Sequence, residues 1–258
     1  MRHTPLTRMT LLLTLSWGMA ACVSSSPKKT EAQHARALAF AAIIARINHE
    51  PFEVLADVPI TDELKKSTQK LLSDWWQVNS RIQLLDTLQW QENGGHRKIL
   101  WEKCNTLRSV PIEKLPDELV RGVKDKDEFN RNLVAALSLR APKRKVLDIT
   151  AWDYGRYISL CRWGYVSGYI SEQEAWEHIM PVARFLQASY SSWDEYADDY
   201  LRGREFWSLN QTIQAGTLNR ETVKSLLVAD GLWHKTAWDA PLGEGAVAED
   251  NCLKPPSK

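Results

Sequence analysis

Ala151-Trp152-Asp153-Tyr154-Gly155-Arg156-Tyr157 opens the stretch that decides the fold, and Gly203-Arg204-Glu205-Phe206-Trp207 closes it. Between them the spacing predicts three consecutive helices. In the first, capped by Asp148, the residues Ile149, Trp152, Arg156, Ser159 or Leu160, and Trp163 recur along one face. Gly164 and Gly168 bracket its exit. Ser171 with Glu174 three residues on forms a capping box, in which two side chains satisfy the first free backbone N–H groups of a helix. That second helix continues to Tyr190, and Pro181 inside it predicts a kink. Ser192 with Glu195 reads as a second box, starting a helix to about Leu209. Asp194, Glu195, Asp198 and Asp199 crowd its first turns, where the helix dipole favours acids.

Outward from this centre the same period of 3.6 recurs. It predicts helices from Glu31 to Glu50, from Thr61 or Asp62 to Val78, from Ser80 to the Gly94-Gly95 stop, and from His96 to Leu107. Others follow from Asp117 to Val123, from Asp127 to Ala141, and from Thr217 or Asn219 to Ala229. Pro142 to Lys145 reads as a solvated basic loop. No period-two alternation survives, so the expected fold class is all-α: a single helical domain over residues 31–242 with roughly nine or ten helices. Trp233 and Trp238 are expected to dock on that body, and residues 243–258 to form a mobile tail.

Residues 1–21 read as a signal peptide, with Arg2, His3 and Arg8 before a short apolar run from Met9 to Trp17. Met19-Ala20-Ala21-Cys22 resembles the lipobox of bacterial lipoproteins. The resemblance implies a lipid on Cys22, a membrane anchor and a flexible tether over residues 22–30. Val23 stands where an Asp would resemble the inner-membrane retention signal, which points to the outer membrane, facing the periplasm. Losing residues 1–21 removes Arg2 and Arg8 from 33 basic residues against 32 acidic ones and leaves a net charge of −1. That near-neutral chain gives no footing for nucleic acid. Of the remaining cysteines, Cys161 reads as a buried small hydrophobe, while Cys104 and Cys252 are the expected pair if one bridge forms.

The central motifs carry a further likeness. Ala151 to Arg156, Arg162-Trp163-Gly164-Tyr165, Gly168-Tyr169-Ile170-Ser171, Glu174-Ala175-Trp176, Ser191 to Glu195, and Tyr200 to Arg204 with Trp207 together resemble the bacterial domain-of-unknown-function family 1266. Gly94-Gly95-His96-Arg97 and Trp233 to Trp238 extend the resemblance. It implies a helical bacterial domain and brings no activity or catalytic set with it.

Asp153, Arg156, Arg162 and Arg204, set among Trp and Tyr, are the best candidate site. Asp153 and Arg156 are three residues apart and share a helix face. Two arginines with aromatic walls suit an anionic or planar ligand; the alternative is a paired, partly buried cross-link between helices. Glu174 and His178 stand four apart with no third ligand at metal spacing, so no metal and no cofactor is expected. His96 reads as a structural histidine, and no catalytic residue is assigned; Cys161 with His178 is the weak nucleophile alternative. Twelve tryptophans, eleven without Trp17, are many for 258 residues. Trp75, Trp101, Trp152, Trp163 and Trp176 fall on apolar faces, whereas Trp76, Trp90 and Trp193 read as more exposed. Exposed Trp near Arg is the composition of an interface, so the leading expectation is a lipid-anchored module with a protein partner. The alternative is a receptor or enzyme for a small anionic ligand.

Overall fold

A computed structural model of the chain describes residues 27–56, 59–140 and 149–248, with the backbone alone at 27 and 209–217. The signal peptide, Cys22, Asp148, the basic loop at Pro142 to Lys145, and Cys252 lie outside the described residues.

Every regular element among the described residues is helical. The order is α1 (Pro27–Leu38), a 3-10 turn (Ala39–Ala41), α2 (Ala42–Ile47), α3 (Asp62–Trp76), α4 (Arg81–Glu92) and α5 (Gly95–Arg108). A second 3-10 turn (Ile112–Lys114), α6 (Leu115–Val120) and α7 (Lys126–Arg140) follow. The chain continues through α8 (Thr150–Val166), α9 (Glu172–Ser189), α10 (Trp193–Trp207), α11 (Leu209–Leu227) and α12 (Leu232–Lys235). The first helix starts four residues earlier than Glu31, and α11 begins at Leu209, well before Thr217. Among the described residues no helix is long and apolar enough to cross a membrane.

α8 is the axis. Sixteen of its 17 residues are buried, and it packs against α2, α3, α4, α5, α9 and α10. A helix covered on every side cannot be amphipathic. The expected single buried face is therefore corrected: Tyr154, Tyr157, Ile158 and Cys161 are as buried as Trp152 and Trp163. One close approach depends on a missing side chain. A Cβ on Gly203 of α10 would lie 2.1 Å from Cβ of Trp152, so only glycine lets α10 come this near α8.

The helix starts follow local chemistry. Thr61 Oγ1 accepts from Leu64 N at 3.1 Å, and Ser80 Oγ from Gln83 N at 3.3 Å. Ser171 and Glu174 form the full capping box. The second expected box is offset. Ser192 Oγ accepts from Glu195 N at 3.1 Å, but the Glu195 carboxylate reaches one residue further back, to Ser191 N at 2.7 Å and Ser191 Oγ at 2.6 Å.

Aromatic packing closes the domain. Trp193 and Trp233 stack with centroids 5.0 Å apart, and Phe40, Tyr196 and Trp238 meet them edge-on or tilted. Trp233 Nε1 donates to Ala39 O at 2.9 Å. Trp193 is thus core, contrary to the sequence expectation, while Trp75 and Trp101 are exposed. The stretch from Gly243 to Ala248, expected to be mobile, lies against α9. Arg184 donates to the carbonyls of Gly243, Glu244 and Ala246, and Ala248 N to Pro181 O at 3.0 Å.

Candidate functional site

The site grows from the start of α5. Gly94-Gly95 brings no capping side chain, so the first N–H groups of α5 need an acceptor from elsewhere. Asp153 of α8 supplies it. Its Oδ2 accepts from Arg97 N at 3.0 Å and from Arg97 Nη1 at 3.3 Å. Gly95 is required twice over: its φ is +49°, and a Cβ there would stand 2.7 Å from Asp153 Oδ2. The start of α8 is served in the same way. Ala151 N donates to Tyr190 Oη at 2.9 Å and to Asp199 Oδ2 at 3.2 Å.

Arg97 is fully buried, with its guanidinium 4.3 Å from the Tyr154 ring centroid and Nη2 donating to Gln91 O at 3.0 Å. Arg156 approaches the other carboxylate oxygen: Nη2 donates to Asp153 Oδ1 at 2.7 Å and Nε to Trp152 O at 3.2 Å. Its plane lies against Trp152 at 4.2 Å and Trp76 at 5.1 Å. Burial alone would raise the Asp153 carboxyl, but the Arg156 and Arg97 guanidinium groups outweigh it and hold the group below the usual carboxylate range. Burial lowers Arg156 against the pull of Asp153.

His96 belongs to this cluster. Its Nδ1 is 2.8 Å from Arg156 Nη2 and 3.3 Å from Asp153 Oδ1. A guanidinium only donates, so the shorter contact makes Nδ1 an acceptor and puts the proton on Nε2. Burial pushes the imidazole below its ordinary pKa, which agrees with a neutral ring. The cluster therefore carries one negative and two positive charges.

Arg156 opens onto a cavity of about 640 Å³ walled by Trp76, Trp152, Trp163, Trp207 and Tyr200, with Trp75 and Trp90 at its mouth. Arg204 of α10 lines it too, its guanidinium 4.9 Å from the Trp207 centroid and its pKa lowered by burial. No described group accepts from Arg156 Nη1. His96 lines both this cavity and a smaller one of about 360 Å³ beside Arg131. A volume of this size suits a small molecule.

Of the four expected residues, three converge. Asp153 is fully buried behind the cavity wall, and Arg156 and Arg204 face the cavity. Arg162 does not join them. It is buried on another side of α8, donating to the carbonyls of Pro51, Val54 and Leu55, with Glu50 at 3.9 Å. Six residues along a helix turn the side chain by about 240°, so Arg162 cannot share the face of Arg156. The sequence reading missed Arg97 and the role of His96. The available signal was a helix opening with two glycines and no cap.

The weaker alternatives fall away. Cys104 and Cys161 are buried free thiols; Cys252, named as the partner of Cys104 if one bridge forms, lies outside the described residues. Burial raises both thiol pKa values. His178 Nδ1 meets Tyr157 Oη at 3.0 Å, which in turn donates to Glu92 Oε1 at 2.5 Å; Cys161 is not its partner. Among the described residues no group of His, Cys, Asp and Glu could hold a metal ion.

A family model described as "Protein of unknown function (DUF1266)" matches residues 71–238, which takes in α4, α5, α8 and α10 and so most of the cavity wall. The chain is similar to the "Uncharacterized protein YbeU" of Escherichia coli (strain K12), at 29% identity over 142 residues. That similarity covers 54% of this chain and 58% of the relative, so the chain spans little more than half the length of the curated relative it matches. No solved structure matches the chain.

Proposed function

The chain belongs to the DUF1266 family of proteins of unknown function, and we propose that its helical domain is a receptor for a small anionic ligand with a flat apolar body. One observation carries this reading. Asp153 is already compensated by Arg97, yet Arg156 is buried beside them with a second positive charge, stacked on indoles and with one edge toward the cavity. A buried charge needs a counter-charge, and a carboxylate or phosphate in the cavity provides it. The planar fork of arginine suits such a group, while the Trp walls suit a planar body.

The test is titration of the full chain with 4-methylbenzoate, followed by the fluorescence of the wall tryptophans. Arg156→Lys keeps a cation for Asp153 but loses the fork; it should fold and bind at least tenfold more weakly. Equal binding by Arg156→Lys, or none by the wild type, rejects the reading.

The address remains part of the proposal. Cys22 in its lipobox-like setting supports a lipid anchor in the envelope, at the outer membrane and facing the periplasm. Palmitate incorporation should disappear in Cys22→Ser. A protein partner is the second reading, favoured by the exposed apolar side chains Trp101, Ile112, Val120 and Leu137 on α5 to α7. It would use a surface apart from the cavity.

A further inference from the structure

The mouth of the cavity is chemically unlike its floor. The floor is buried and cationic, with Arg156 and Trp152 only 6% and 5% exposed. The mouth carries Trp75, 66% exposed, and Trp90, 42% exposed. With them stands Asp86, four residues before Trp90 on α4, exposed and lining the same cavity. Residues four apart share a helix face. No described side chain pairs with Asp86 or donates to it, whereas the neighbouring cation of α4, Arg81, is taken by Glu174 at 2.6 Å. Gln77, also on the wall, holds a left-handed φ of 56° that glycine would adopt more readily.

An unpaired carboxylate at the mouth repels a ligand that is only anionic. It attracts an ammonium group, as do the faces of the nearby indoles. From this polarity we infer that the cavity takes a zwitterion, with its anion at the Arg156 floor, its flat body along the Trp walls, and its ammonium at Asp86 beside Trp75 and Trp90. This rests on the reading of the cavity as an anion site. Asp86 then serves as a discriminating residue that disfavours dianions of the same shape.

The experiment uses matched probes on the full chain by calorimetry: 4-methylbenzoate, 4-(aminomethyl)benzoate, its longer homologue 4-(2-aminoethyl)benzoate, and terephthalate. One of the two amino acids should bind about tenfold tighter than 4-methylbenzoate, and terephthalate should bind more weakly than it. Both differences should vanish in Asp86→Asn, an exposed position where folding is not at stake, while 4-methylbenzoate, freed of the repelling carboxylate, binds the variant at least as tightly as the wild type. If 4-methylbenzoate binds but neither amino acid gains, or if the gain survives Asp86→Asn, the zwitterion inference is wrong and the anion site stands. If no probe binds, the anion site falls and this inference with it.

Discussion

Asp153→Asn is the sharpest probe of the buried cluster, because it keeps the side-chain size and removes one charge. In the native fold the carboxylate receives three donors: Arg97 N at 3.0 Å, Arg97 Nη1 at 3.3 Å and Arg156 Nη2 at 2.7 Å. An amide offers one oxygen and one NH2 group, so at least one of the two arginines would face a donor. Both guanidinium groups would stay buried and lose the carboxylate they share. Breaking a buried pair from one side costs about 3–5 kcal/mol. In a chain of this size each kcal/mol lowers Tm by about 2–4 °C, so a fall of roughly 6–20 °C is expected in thermal unfolding followed by circular dichroism. The pH dependence gives a second check. A carboxylate held below its unfolded pKa adds stability that is complete above about pH 4 and is lost as pH falls through the folded value. The gap between wild type and Asp153→Asn should therefore narrow below about pH 4. A loss under about 1 kcal/mol at pH 7, or a gap that does not narrow in acid, would refute the view that Asp153 neutralises the two arginines.

The other predictions test separate parts of the structure. Gly203→Ala places a Cβ on Trp152 Cβ, so α8 and α10 must part; a loss of about 2 kcal/mol or more is expected in urea unfolding, with weaker 4-methylbenzoate binding because Trp152 walls the cavity. His96 has a folded pKa below its unfolded one, so it costs stability as pH drops below about 6.5; His96→Gln should flatten that part of the stability curve. Cys104 and Cys161 should resist dithionitrobenzoate in the native protein and react on unfolding, measured in a Cys22→Ser, Cys252→Ser background.

Features governed by neighbours in sequence were legible in advance. The caps at Thr61, Ser80 and Ser171 need only three or four residues to form, and the all-α class follows from apolar spacing. Asp153 with Arg156 was legible for the same reason. Features that depend on what surrounds a helix were not. Periodicity assumes that a helix has a wet side, and α8 has none, so its pattern under-reports its burial. Trp75 and Trp76 are adjacent and cannot both point inward; the apolar pattern favoured the wrong one, and Trp75 is the exposed member. Arg97 meets Asp153 across 56 residues, and nothing local announces the meeting.

The two buried aspartates among the described residues bear on the proposal that Arg156 takes a further partner. Asp199 serves the start of α8 together with Tyr190, and its other oxygen lies 3.5 Å from Arg202. Asp153 serves the start of α5, where the backbone N–H of Arg97 and the dipole of the helix already favour a negative charge. Arg97, sealed beneath Tyr154, completes that cap. A cap of this kind is electrically closed with one arginine, and a helix-to-helix cross-link would have needed no more. Arg156 adds a second guanidinium, wedged between Trp76 and Trp152 on the cavity side of the same carboxylate. Desolvating a second cation beside one carboxylate costs free energy, which an anion in the cavity would offset under the proposed reading. The position of Arg156 is explained when an anion shares it. The cluster first legible as Asp153 and Arg156 is thus a structural cap on one side and, as proposed, an anion seat on the other, and substitutions at Arg97 and Arg156 should separate the two roles.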